Sequence, residues 1–77
     1  MVVLKETTPD TDGLPVVCKS RVTRREARML TMEVARFNRA DGDRVTVDRG
    51  AKGYTVNVWT SGGSFGETLI YSADVRF

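Results

Sequence analysis

Histidine is absent from this chain, cysteine occurs once and proline twice among 77 residues. Without histidine there is no side chain that ordinarily titrates near neutrality for acid–base work, and no imidazole to hold a metal. The lone Cys18 closes no internal disulfide and builds no thiolate zinc site. It has no histidine to activate it as a nucleophile, and reads instead as a small buried strand residue. No stretch approaches the ~20 apolar residues of a membrane span. The opening Met1-Val2-Val3-Leu4-Lys5-Glu6 lacks the pattern of a signal peptide. These absences lead to the expectation of a non-enzymatic protein without cofactor or metal. An unpaired cysteine further points to a reducing cytoplasm, with no membrane partner.

At 8.6 kDa the chain allows one small domain over 1–77. A core of that size supplies only ~3–5 kcal/mol, so a partner or self-association is an expected source of further stability. The net charge of +2 conceals an uneven distribution. Residues 1–18 set Lys5 against Glu6, Asp10 and Asp12, for −2. Residues 19–40 set Lys19 and six arginines against Glu26 and Glu33, for +5; residues 41–77 come to −1, with four basic and five acidic side chains.

The basic segment also carries the helix signal. Thr23-Arg24-Arg25-Glu26 has the form of a capping box, with the Thr23 hydroxyl accepting from the Glu26 amide and Glu26 reaching back to the Thr23 amide. Ala27, Leu30, Val34 and Phe37 recur at helical spacing and are expected to form the stripe that faces the core. Asp41-Gly42-Asp43 supplies the stop, so the spacing predicts a helix over 23–40. Alternating residues predict strands over 44–48, 54–59 and 67–71, joined by turns at Gly50-Ala51-Lys52-Gly53 and Ser61-Gly62-Gly63-Ser64. Residues 2–6 and 16–19 add one or two more around a loop at 7–13, and Val75 and Phe77 extend or restart the last. The expected fold class is α+β, a single helix packed on a three- to five-stranded antiparallel sheet in the approximate order β(β)αβββ.

Two features are candidates for partner binding. At 100° per residue, Arg21, Arg25, Arg28, Arg36 and Arg39 fall in one arc roughly opposite the apolar stripe, with Met32 inside it. Arginine and methionine are both enriched at interfaces, although a solvated helix face in an arginine-rich chain has the same look. Trp59 alternates against Tyr54, Val56 and Val58; if that set is core, Trp59 lies on the open sheet face, where it can stack a nucleobase, anchor a protein partner, or simply cover the rim or a self-association surface. The Gly62-Gly63-Ser64-Phe65-Gly66 run invites a phosphate-loop reading, but it lacks the Lys-Ser/Thr ending and fits a hairpin turn. Asp10-Thr11-Asp12-Gly13 has too few oxygen ligands for a calcium loop and reads as a turn.

Three functions fit these features. The first is a stoichiometric binding protein acting on a protein partner through the Arg/Met helix face or the open sheet. In size, arginine content and expected architecture the chain resembles small phage-encoded inhibitors of host defence such as anti-CRISPR proteins, which implies an inhibitor of host machinery. The second is a nucleic-acid-binding protein that sets the basic helix on phosphates, as a monomer or homodimer. The third is a self-assembling subunit that pairs through its sheet edges.

Overall fold

Both ends of the helix are set by local hydrogen bonds. The Thr23 hydroxyl accepts from the Glu26 amide at 3.1 Å, and the Glu26 carboxylate answers the Thr23 hydroxyl at 3.2 Å rather than its amide. At the far end the Asp43 amide donates to the Asn38 carbonyl and the Gly42 amide to the Arg39 carbonyl, a Schellman closure. Gly42 takes φ +88°, where a side chain would be strained. The result is α1 (Arg24–Ala40). The computed structural model describes residues 1–61 and 66–77; the expected second turn and phosphate-loop run at 62–65 lie outside them.

Around α1 stand β1 (Val2–Pro9), β2 (Pro15–Val22), β3 (Arg44–Gly50), β4 (Gly53–Ser61) and β5 (Glu67–Arg76). They form one five-stranded antiparallel sheet in the order β2-β1-β5-β4-β3, with the helix on one face. β3, β4 and β5 are the expected meander, and β1 slots between β2 and β5. Pairing rows such as Leu4–Val75–Tyr54 and Val56–Ala73 place the Tyr54, Val56 and Val58 set on the helix side. Leu4, Val58 and Val75 are fully buried there, together with Val2, Val56 and Ala73. One extra residue at Ile70 shifts the β4–β5 register beside Val58 and Trp59, so that Tyr71 meets Val58 while Leu69 meets Trp59.

The helix does not present its expected stripe. Ala27, Thr31 and Ala35 are buried, with Val34 and Asn38 half-buried, whereas Leu30 is 43% and Phe37 68% exposed. The buried row is rotated roughly a quarter-turn from the stripe of Ala27, Leu30, Val34 and Phe37. The physical reason lies in the sheet, which fills the space with its own leucine, valines and tyrosines and leaves room only for small residues above. Thr31 tolerates burial because its hydroxyl donates to the Ala27 carbonyl at 2.8 Å, and the Asn38 amide donates to the Val34 carbonyl at 2.8 Å. Cys18 is likewise not the buried residue expected: it is exposed on β2, the outermost strand, because the helix packs chiefly on β1, β3 and β4.

The β3–β4 turn depends on a glycine. Gly53 is buried with φ +148°, and a Cβ there would stand 1.9 Å from the Val75 carbonyl oxygen. Gly53→Ala is therefore expected to cost ~2 kcal/mol or more, read as a drop in denaturation midpoint. The helix rotation makes a second, paired prediction. Phe37→Ser should change stability by no more than ~0.5 kcal/mol, whereas Ala27→Leu should cost ~1–3 kcal/mol by overpacking. The reverse ranking in chemical denaturation would contradict the rotation.

Candidate functional site: a basic groove between the helix and the β3–β4 hairpin

With the helix turned this way, three of its exposed arginines border a groove over the β3–β4 hairpin. Arg28, Met32, Arg36 and Arg39 form one wall of a groove of about 650 Å³. Val47 and Arg49 of β3, Tyr54 and Val56 of β4, and Phe77 line it from the sheet. The floor is apolar and aromatic, and the wall is cationic. No acidic side chain lines the groove, and among the described residues Arg28, Arg36, Arg39 and Arg49 make no ion pair.

The floor is held in place from three directions. The Phe77 amide donates to the Lys52 carbonyl at 3.0 Å, tying the end of the sheet to the β3–β4 turn. The Phe77 and Tyr54 rings meet edge-on, with centroids 6.2 Å apart. The Arg24 guanidinium sits 3.8 Å above the Phe77 ring, a cation–π contact worth ~0.5–1 kcal/mol at such a surface. Across the floor the Tyr54 hydroxyl lies 3.4 Å from Thr31 Oγ1, linking hairpin and helix.

The sequence-based candidates divide between two surfaces. Arg28, Met32, Arg36 and Arg39 come together in the groove wall, and Arg25 is exposed on α1 close by in helical angle without lining it. Arg21 is not on the helix arc: it belongs to β2, paired with Val3, and projects to the open face of the sheet. Trp59 lies on that open face too, half-buried, with its indole N–H 3.4 Å from Thr46 Oγ1 and the Arg44 guanidinium 5.2 Å over its ring. Arg44 is in turn paired with Glu67 at 2.6 Å. Elsewhere on the open face Asp74 accepts from Thr55 at 3.0 Å and from Arg76 at 3.0 Å. Two of this face's arginines are thus paired with carboxylates, while Lys5, Lys19, Arg21 and Asp48 on the same face make no ion pair among the described residues. The sequence-based set omits Arg49, Val47, Tyr54 and Phe77, because only the hairpin's return under the helix brings them to the arginines.

Catalytic geometry is thin among the described residues. No three His, Cys, Asp or Glu side chains converge there on a point where a metal could sit. Asp10 and Asp12 belong to a turn in which Asp10 Oδ1 accepts from the Asp12 and Leu14 amides, each at 2.9 Å. Among the described residues no helix is long and apolar enough to cross a membrane. The one strongly perturbed group is Tyr71, whose hydroxyl donates to the Glu6 carboxylate at 2.6 Å. Burial first, then that hydrogen bond and the Glu6 charge, push the phenol well above its ordinary value near 10. A phenol held in its protonated form is a structural donor, not a poised base. No family model, curated protein or solved structure matches the chain, so the site stands on its own geometry.

Tyr71 offers a direct check of this arrangement. The folded state binds its proton more tightly than the unfolded chain does. Its contribution to stability is therefore full below about pH 10 and declines as pH rises above that. In a Tyr54→Phe variant, where Tyr71 is the remaining tyrosine, phenolate absorbance should stay low at about pH 11. Ionisation at the ordinary midpoint would contradict the Tyr71–Glu6 contact.

Proposed function

We propose that this small α+β protein is a stoichiometric binding module for a protein partner, with the basic groove as its contact surface. The observation that carries the reading is the juxtaposition of four arginines that make no ion pair among the described residues with Met32 in the same wall and an apolar floor of Val47, Tyr54 and Phe77. Arginine forks favour carboxylates, and the floor rewards insertion of an apolar side chain, so the partner surface is acidic and partly apolar. Occlusion of that surface, as in the small phage-encoded inhibitors the chain resembles in size and architecture, is a mode of action that needs no catalytic group.

A nucleic acid would satisfy the arginines and could stack a base on Tyr54 or Phe77, but Val47 and Val56 beside those rings suit an apolar side chain. Trp59 supports stacking poorly, since Arg44 lies over its ring and Thr46 meets its N–H. The residues on either side of the basic segment carry −2 and −1, so the excess of positive charge is confined to one stretch of the sequence.

Reversing charge at Arg28, Arg36 and Arg39 together should weaken the partner's binding by on the order of a hundredfold or more while leaving the far-UV CD spectrum unchanged. The measurement is capture of the partner from the source organism's lysate, followed by titration of the purified pair. Undiminished affinity in the triple variant would remove the groove from the reading. Capture abolished by nuclease, with affinity for random DNA that falls steeply with salt, would replace a protein partner with a nucleic acid.

A further inference from the structure

We infer that the groove receives an extended acidic segment, which adds to the free edge of β3 as a further strand. The inference rests on the protein-partner reading and specifies what enters the site and how it is held. β3 is the last strand of the sheet, with β4 as its one neighbour. Antiparallel pairing uses only half of a strand's N–H and C=O groups, so the other half of those along Arg44–Gly50 point outward. Among the described residues, no turn, loop or side-chain hydrogen bond reaches them.

Two observations separate this edge from the one at β2. β2 starts at Pro15, which blunts an edge, and none of its residues lines the groove, whereas charged side chains occur on both edge strands. β3 contains no proline and supplies Val47 and Arg49 to the groove itself. The groove and the unpaired backbone thus belong to the same strand.

Alternation then dictates what the added strand must carry. Val45, Val47 and Arg49 pair with Val58, Val56 and Tyr54, which face the helix. Every second side chain of a strand laid beside β3 falls on that face, next to Val47 and Arg49 and below the Arg36–Arg39 wall. An apolar side chain suits the floor, and carboxylates suit the arginines on either side of it. Main-chain hydrogen bonds to β3 would supply much of the affinity, and the alternating pattern the specificity. A helix placed in the same groove would leave the β3 backbone unpaired, and this difference is measurable.

The probe is a synthetic peptide of about ten residues, with glutamate and valine taking turns on one face and threonine on the other. Its controls are a scrambled peptide of the same composition and an oligothymidylate of similar charge. At saturation, alternate amides of β3 should shift in the 15N–1H spectrum and exchange with solvent at least ~10-fold more slowly, while β2 amides stay unchanged. The scrambled peptide should bind at least ~10-fold more weakly. Arg36→Glu with Arg39→Glu should weaken binding similarly, and Lys19→Glu with Arg21→Glu should not. Binding that shifts α1 but leaves β3 exchange unaltered would overturn strand addition and leave the groove as a protein site. Equal or tighter binding of oligothymidylate would overturn the protein-partner reading as well. No binding of the alternating peptide would overturn the inference.

Discussion

The closeness of α1 to the sheet rests on a short row of small side chains. Ala27, Thr31 and Ala35 meet a sheet face that already carries Leu4, Val56, Val58 and Val75, so bulk is supplied from below and the helix contributes little of it. Close packing of this kind fixes the rotation of the helix as well as its height, because a large residue in the row would prise the layers apart. Both flanks of the helix follow from that. One overhangs the β3–β4 hairpin with arginines and forms the groove; the other leaves Leu30 and Phe37 in solvent.

Much of the architecture was legible because its signals are local. Thr23, Glu26 and Gly42 marked the helix ends through capping chemistry that needs only neighbouring backbone. Period-two alternation marked the strands and assigned Tyr54, Val56 and Val58 to one face. The helix rotation was not legible, since Thr31 and Asn38 read as polar; their capacity for burial comes from carbonyls of the preceding turn. The last strand looked shorter than it is because Ser72-Ala73-Asp74 lacks strand-like bulk, yet Ala73 must be small where it lies buried beside Val56. The groove was half visible. Its arginine wall follows from helical spacing, but its floor exists only after the β3–β4 hairpin and Phe77 fold beneath it.

The two faces of the sheet differ in what surrounds their charges. On the open face Asp74 engages Thr55 and Arg76, and Arg44 engages Glu67 while covering Trp59. Lys5, Lys19, Arg21 and Asp48 share that face without an ion pair among the described residues. On the helix side four guanidinium groups surround an apolar floor with no carboxylate between them, which leaves both charge and apolar area to be complemented from outside. The modest net charge of +2 averages over these two faces and describes neither.

The central claim, that small residues seat the helix and so place its arginines over the hairpin, is tested most directly by nuclear Overhauser contacts to the helix side chains. The account predicts contacts from the Ala27 methyl to the Val2, Leu4, Val56 and Val75 cluster, and from Thr31 to the Tyr54 ring, with none from Phe37 to the sheet. Contacts from Leu30 and Phe37 to the buried valines, with Ala35 open to solvent, would contradict it.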